Sequence, residues 1–195
     1  MKSIKNLMML AVFCLLASRM GRWKISGPPQ NEHKTERILF MSGCSDGDTC
    51  LGHDPQRISY KLRLLGIDAP EIKTPLKKGQ VWAKEAKARL NVLVSGKQNR
   101  VLFFGGDLYG RHLVIIYPIN QSKSINETLI EEGHAFSYGG KMDSPHIQRK
   151  YTAIENHARK TRRGIWKLMQ QPENPSTWRL KTKVHRTNPF GYEHL

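Results

Sequence analysis

The chain has 195 residues, a length that suits one domain with extensions better than two full domains. Its 32 Lys and Arg residues outnumber its 16 Asp and Glu residues, so the formal net charge is +16. This excess predicts an anionic partner, with nucleic acid, a membrane surface and an acidic polymer as the candidates. A hydrophobic content of 38% excludes wholesale disorder, and the lack of an apolar run of roughly 18 residues excludes a multi-span membrane protein.

The first 20 residues have the order of features of a secretory signal peptide. Lys2 and Lys5 precede an apolar stretch from Leu7 to Ala17, which the small residue Ser18 follows. A buried N-terminal helix would explain the hydrophobicity but not this order. We therefore expect a signal peptide over 1–20, a polar linker over 21–35, and a secreted or periplasmic protein.

Two cysteines remain once the predicted signal peptide, which contains Cys14, is set aside. Cys44 and Cys50 flank a segment with an Asp-Gly pair, which is a hairpin signal between strand-like runs. Cysteines on opposing strands of such a hairpin can form a disulfide that clamps the loop. Two free thiols that pack as small hydrophobic side chains are the alternative.

Short strand-like runs, separated by Gly, Asp and Pro, alternate with helical patterns after residue 36. The runs are Arg37–Gly43, Thr49–Gly52, Ser59–Gly66, Arg100–Gly105 and His112–Tyr117. Helical spacing or capping signals mark Gln80–Val94, Ser124–Glu132 and Pro145–Arg162. This pattern predicts an α+β fold, a five-stranded OB-type β-barrel with three packed α-helices, over residues 36–167. Residues 168–195 are predicted to form a basic C-terminal tail.

Three separated segments carry polar residues that the strand pattern does not require. They are Asp46-Gly47-Asp48-Thr49, Arg63-Leu64-Leu65-Gly66-Ile67-Asp68-Ala69-Pro70-Glu71 and Asp107-Leu108-Tyr109-Gly110-Arg111. In the second segment, strand alternation places Arg63 on the face opposite Leu62 and Leu64. By itself, the Asp-Ala-Pro-Glu part of this segment also fits an ordinary turn or helix start.

Taken together, the three segments contain what phosphodiester hydrolysis requires. Oxygen ligands from Asp48, Asp68 and a backbone carbonyl suit a hard cation such as Ca²⁺. Two arginines suit the capture of phosphate oxygens and of the charge that develops at phosphorus. A further glutamate can orient or deprotonate water.

These segments resemble, in order and in separation, the signature segments of the thermonuclease, or staphylococcal-nuclease-like, family. The likeness runs from about Arg37 to Trp166, and it includes Ile125-Asn126-Glu127 and Gly164-Ile165-Trp166. Pro175-Ser176-Thr177-Trp178-Arg179 also resembles a tail element of many bacterial members. The resemblance implies an OB-fold with three helices, and Ca²⁺-dependent cleavage of DNA and RNA between phosphorus and the 5′ oxygen.

The resemblance also implies a role for each matching residue. Asp48, Asp68 and the backbone carbonyl of Ala69 would be Ca²⁺ ligands, and Asp46 would lie in the outer shell. Glu71 would orient or deprotonate the attacking water, and Arg63 and Arg111 would bind the scissile phosphate. Tyr109 would contact a phosphate or stack near the nucleotide.

Two departures from the family pattern affect substrate contacts. Leu108 stands where the best-studied member has a lysine that touches nucleotide phosphate. The stretch of Phe136, Ser137 and Tyr138 matches only loosely the one that supplies the family's base-stacking tyrosine.

Basic residues near these segments offer a guide for a polyanion. We expect Lys73, Lys77 and Lys78 to attract nucleic acid to the site. The helix residues Lys84, Lys87 and Arg89 fit a solvated face better.

The sequence thus predicts a monomeric, secreted, Ca²⁺-dependent nuclease with no sequence preference and with DNA and RNA as partners. Two rival hypotheses remain. One is a non-catalytic OB-fold module that binds nucleic acid, and the other is a basic protein that binds an anionic membrane or envelope polymer.

Overall fold

The computed structural model describes residues 35–75, 78–138, 144–170 and 172–184. The predicted signal peptide lies outside the described residues, as does the predicted linker except for its last residue. Lys77 also lies outside them. No helix within the described ranges is both long and apolar enough to cross a membrane.

Five strands form a closed barrel, because the first and last strands of the sheet pair with each other. In chain order the strands of the described chain are β1 (Thr35–Cys44), β2 (Thr49–His53), β3 (Ser59–Leu64), β4 (Ile67–Asp68), β5 (Gln98–Gly106), β6 (His112–Pro118) and β7 (Phe136–Ser137). The barrel order is β1-β2-β3-β6-β5, with β5 paired back to β1. Only β3 and β6 run parallel among the barrel strands. The predicted five-stranded OB-type barrel is confirmed.

Strand alternation decides which side chains fill the barrel. Leu62 and Leu64 are at most 1% exposed, and Arg63 between them points to the other face, as the sequence pattern predicts. In β1, Leu39 and Met41 are fully buried. The barrel core therefore fixes the direction in which β3 presents its arginine.

Four α-helices and one 3-10 helix accompany the barrel in the described residues. They are α1 (Ala83–Val94), α2 (Ile125–Glu131), α3 (Pro145–Lys160), a 3-10 helix (Gly164–Lys167) and α4 (Pro175–Val184). The first three α-helices correspond to the three predicted ones. Within the described residues α4 is an additional helix, in the segment that the sequence pattern describes only as a tail.

Local signals explain where these helices start. The Ser124 hydroxyl accepts the amide of Glu127 and caps α2, as the capping box predicts. Ser144 caps α3 in the same way ahead of Pro145. The predicted first helix begins later than Gln80, because Trp82 has a left-handed backbone with φ of 71° and so precedes the first helical turn.

A short two-stranded sheet links the segment that carries Asp68 to the 3-10 helix. Strand β4 pairs with β7 antiparallel, so that Asp68 lies opposite Phe136. Phe136 in turn packs edge-on against Trp166, with ring centroids 5.0 Å apart. The segment that carries Asp68 is thereby fixed between the barrel and the C-terminal helices.

The hairpin between β1 and β2 is closed by a disulfide between Cys44 and Cys50, which lie directly opposite each other in the register. The loop that it closes contains Asp46 and Asp48. The Cys44 amide also donates to the side chain of Asn91 in α1, at 3.0 Å. These contacts hold both ends of an acidic loop.

Candidate active site

The three polar segments of the sequence converge on one cavity of about 670 Å³. Charged and aromatic side chains make up much of its wall: Asp46, Asp48, Lys61, Arg63, Glu71, Asp107, Tyr109, Arg111, Tyr138 and Arg179. Ala69 also lines it. The structure therefore brings most of the proposed site residues to one cavity, whereas Asp68 does not line it and lies behind the wall, 3.1 Å from Arg63.

Hydrogen bonds fix the position of Asp48 in the loop after β1. Its Oδ2 accepts the Ala69 amide at 2.8 Å, and its Oδ1 accepts the Thr49 hydroxyl at 3.2 Å. Its own amide donates to Asp46 Oδ1 at 3.0 Å. Gly47 lets the loop approach closely, since a Cβ there would lie 2.6 Å from the Cβ of Ala69. The loop places Asp48 inside and Asp46 at the rim.

Arg63 joins the two buried carboxylates. Its Nη2 lies 3.2 Å from Asp48 Oδ2 and 3.1 Å from Asp68 Oδ1. Its Nη1 donates to the carbonyl of Leu64 at 3.0 Å. Asp68 is 1% exposed and Asp48 is 8% exposed, so both carboxylates depend on nearby positive charge.

The chemistry of this donor set fits a hard cation. Burial raises the pKa of Asp48 to about 7; the carboxylates of Asp46 and Asp68 also raise it, whereas Arg63 and the Ala69 amide lower it. Added positive charge would therefore stabilise the ionised carboxylate. No group of three or more His, Cys, Asp or Glu side chains within the described parts of the chain is arranged as a metal site. A cation held by Asp48 and Asp68 would then need backbone carbonyls and water as further ligands, which Ca²⁺ accepts.

Glu71 is held beside the acidic pair by its backbone. Its amide donates to Gln80 Oε1 at 3.0 Å, and its carbonyl accepts the Gln80 amide at 2.8 Å. Its side chain is 34% exposed, so water has access to the carboxylate. A carboxylate that is reached by solvent and carried by a fixed backbone suits the role of orienting or deprotonating water.

Arg111 also lines the cavity. Its Nε and Nη2 both lie 2.7 Å from Asp107 Oδ2, and its Nη1 donates to the Thr49 hydroxyl at 3.3 Å. Its guanidinium also lies 5.5 Å from the ring centroid of Tyr109. Asp107 thus holds the arginine by one edge.

The residues considered for substrate contact differ in whether they line the cavity. Tyr109 is 77% exposed at the cavity rim, in a position to meet a bound chain. Leu108, at the family's lysine position, is fully exposed and offers no charge. Phe136 is buried against Trp166, which leaves Tyr138 as the aromatic residue of its stretch that lines the cavity.

Two of the three lysines expected to guide a polyanion do not line this cavity. Lys73 and Lys78 are exposed and do not line it, and Lys77 is outside the described residues. Lys61 lines the cavity instead. Alternation along β3 places Lys61 on the same face as Arg63, and this signal was sufficient to find it.

A third arginine in the cavity was missed by sequence reasoning. Arg179 of α4 contacts both Asp68 and Glu71 from more than 100 residues away in the chain. Thr49 was also given no role, yet its hydroxyl links Asp48 to Arg111. Its place directly after Asp48 in the first polar segment was the available signal.

The chain is similar in sequence to proteins named as nucleases. Residues 61–168 match the family model described as "Staphylococcal nuclease homologue". An "Uncharacterized endonuclease" of Haemophilus influenzae is 30% identical over 179 residues, which cover 92% of this chain and 90% of that protein.

Plant relatives are longer. "Staphylococcal-like nuclease CAN1" of Arabidopsis thaliana is 34% identical over 120 residues, or 62% of this chain and 33% of that protein. "Probable staphylococcal-like nuclease CAN1" of Oryza sativa subsp. japonica is 32% identical over 163 residues, or 84% of this chain and 45% of that protein. This chain thus spans less than half of each of these two plant relatives. The family match and the similarity over nearly the whole Haemophilus protein establish that the chain belongs to the staphylococcal nuclease homologues.

Proposed function

We propose that this protein is a Ca²⁺-dependent phosphodiester hydrolase that cleaves DNA and RNA without sequence preference. The observation that carries the proposal is that Asp48, Arg63, Glu71 and Arg111 line one cavity, and that the buried Asp68 contacts Arg63 directly behind its wall. Relatives named as endonucleases and nucleases support the reaction class.

The site residues bind the scissile phosphate, activate the attacking water and stabilise the charge that develops in the reaction. The guanidinium groups of Arg63 and Arg111 bind oxygens of the scissile phosphate and stabilise the charge that develops there. Glu71 orients a water molecule and accepts its proton as the water oxygen attacks phosphorus. The bond between phosphorus and the 5′ oxygen breaks, and the departing oxygen takes up a proton, leaving a 3′ phosphate and a 5′ hydroxyl.

Asp48, Asp68 and the Ala69 carbonyl are the groups that would hold Ca²⁺, with Asp46 in the outer shell. Bound there, Ca²⁺ would offset phosphate charge and make nearby water more acidic. The chain itself supplies the pair of carboxylates. Arg63 contacts both of them, and the Ala69 amide donates to Asp48, so their positions are fixed.

Two features support the absence of sequence preference. The overall charge of +16 attracts any polyanion through its phosphates. The cavity wall contains arginine and lysine side chains and two tyrosines, whose rings can stack on any base. We also propose that the protein is monomeric and is exported by its N-terminal segment to the periplasm or the exterior.

The test is plasmid degradation by the purified chain with Ca²⁺ and with a chelator. We expect rapid degradation with Ca²⁺, none with the chelator, and a loss of turnover of about 100-fold or more in Arg63→Ala. Arg100→Ala is the matched control, because Arg100 pairs with the exposed Glu36 and does not line the cavity. Equal activity with and without chelator would contradict the role of the cation. Absence of activity in both would contradict the nuclease function, and the non-catalytic binding module would replace it.

A further inference from the structure

Arg179 binds the same carboxylates that the proposed cation would use. Its Nη1 lies 3.0 Å from Asp68 Oδ1 and 2.6 Å from Glu71 Oε1, and its Nη2 lies 2.8 Å from Asp68 Oδ2. Both oxygens of a buried carboxylate and one oxygen of the accessible glutamate are therefore engaged by one side chain. Charge-assisted, forked contacts of this kind are the strong class of protein hydrogen bonds.

The helix that carries Arg179 is anchored to the loop that carries Glu71. Gln80 receives the Glu71 amide on its Oε1 and donates from its Nε2 to the Glu173 carbonyl at 3.0 Å. Asn174 then caps the start of α4, accepting the Ser176 amide at 2.9 Å. The Gln80 side chain thus links the backbone of Glu71 to the segment that leads into α4.

A second cavity lies beside the residue that precedes Arg179. Trp178 lines a cavity of about 480 Å³ whose wall also includes Phe136 and Ile165, beside the 3-10 helix. Pro70, directly before Glu71, lines both this cavity and the candidate active site. The start of α4 is therefore bonded to Gln80, and its Trp178 borders the same cavity as Pro70.

Charge places Arg179 in competition with a cation. The Arg63 Nη2 already contacts Asp68 Oδ1, so Asp68 receives two guanidinium groups. A divalent ion added to the same carboxylate meets two positive charges within a few ångströms, and this repulsion weakens as soon as the more exposed arginine leaves. Arg179, with 32% of its side chain exposed against 13% for Arg63, is the one free to leave.

We infer that Arg179 is a built-in counter-ion of the active site, which α4 holds on Asp68 and Glu71 and which Ca²⁺ must displace. This inference rests on the proposed Ca²⁺ site. Binding of Ca²⁺ and docking of Arg179 are then negatively coupled, so each weakens the other by the same factor.

Isothermal titration of Ca²⁺ into the full chain, without nucleic acid, tests the coupling. We expect Arg179→Gln to bind Ca²⁺ about fivefold or more tightly than the wild type, because the competing charge is gone. Arg179→Lys keeps the charge but loses the fork, and is expected to lie between the two. Lys181→Gln removes the same charge from an exposed position of α4 and is expected to match the wild type.

A second measurement does not depend on any variant folding well. Amide hydrogen exchange in α4 of the wild type is expected to accelerate when Ca²⁺ is added, because the helix loses its contact with Asp68 and Glu71. Unchanged or slower exchange would overturn the inference. Equal or weaker Ca²⁺ binding by Arg179→Gln would overturn it as well.

The variant Asp48→Asn separates this inference from the function on which it rests. If the wild type binds Ca²⁺ and Asp48→Asn does not, the cation site stands, and the Arg179 variants decide the inference alone. If the wild type binds no Ca²⁺, or Asp48→Asn binds as well as the wild type, the proposed cation site fails and the inference fails with it.

Discussion

Asp107 holds Arg111 by one edge of its guanidinium, with both Nε and Nη2 2.7 Å from the same carboxylate oxygen. The other oxygen of Asp107 accepts the amides of Tyr109 at 2.9 Å and Arg111 at 3.0 Å. Although desolvation raises the pKa of Asp107, these hydrogen bonds from Arg111 and Tyr109 outweigh it and lower the pKa below its usual value. The carboxylate is therefore charged at neutral pH and fixes where the arginine points.

This contact predicts that Asp107 matters for turnover although it does not itself bind the phosphate in our proposal. Asp107→Asn keeps the shape of the side chain but weakens its hold on Arg111. We expect it to lower kcat/KM by about 10-fold, compared with about 100-fold or more for Arg111→Ala. Initial rates on DNA at saturating Ca²⁺ would measure both. A larger loss in Asp107→Asn than in Arg111→Ala would contradict the assignment.

The close approach of Gly47 predicts a stability cost for the smallest possible side chain. A Cβ at Gly47 would lie 2.6 Å from the Cβ of Ala69 and 2.9 Å from that of Ala86. We expect Gly47→Ala to lower the free energy of unfolding by about 1–3 kcal/mol, because the loop must shift away from α1. Urea denaturation would measure it.

Gly106→Ala is the control for this measurement, since its Cβ would meet nothing closer than 3.5 Å. We expect it to change the free energy of unfolding by less than about 1 kcal/mol. Equal losses in the two variants would show that steric overlap at Gly47 is not the cause.

His134 predicts a pH dependence of stability. The Trp82 indole donates to His134 Nδ1 at 3.1 Å, which requires that this nitrogen is unprotonated. Burial lowers the pKa of His134 below its ordinary value of 6.5. The unfolded chain therefore binds more protons than the folded chain between the two pKa values, and His134 lowers stability as the pH falls below about 6.5. We expect the Tm of the wild type to fall more between pH 7.5 and 5.5 than that of His134→Gln. Parallel changes in the two proteins would rule out this contribution.

The disulfide between Cys44 and Cys50 predicts how many free thiols the protein has. If the N-terminal segment with Cys14 is removed on export, thiol titration under denaturing conditions is expected to find no free thiol. Reduction should then lower the free energy of unfolding by roughly 2 kcal/mol, as expected for closing such a short loop. Two free thiols in the exported protein would contradict the prediction.

Much of the fold followed from local sequence patterns. Alternation in β3 predicted the buried faces of Leu62 and Leu64 and the outward direction of Arg63, because strand period alone decides these. The capping signal at Ser124 similarly predicted the start of α2. Family membership was predicted from the order and separation of the three polar segments, which resemble the family's signature segments.

Other features depend on contacts that no local pattern encodes. The position of α4 is set by Gln80 and by the cavity that Trp178 lines, so the docking of Arg179 on Asp68 is a purely tertiary outcome. The lysines after Glu71 were selected by nearness in sequence, whereas the loop carries Lys73 and Lys78 away from the cavity lining. The late start of α1 reflects the left-handed backbone of Trp82, an aromatic residue that rarely adopts it.

In the proposed mechanism, Glu71 prepares water for attack on a phosphodiester within this cavity. The most direct test is the rate of DNA cleavage by Glu71→Gln at saturating Ca²⁺, with the exposed Glu36→Gln as the matched control. We expect Glu71→Gln to lower kcat by about 100-fold or more, because the amide cannot accept the proton, and Glu36→Gln to match the wild type. A Glu71→Gln variant that cleaves DNA as fast as the wild type would contradict this role of Glu71.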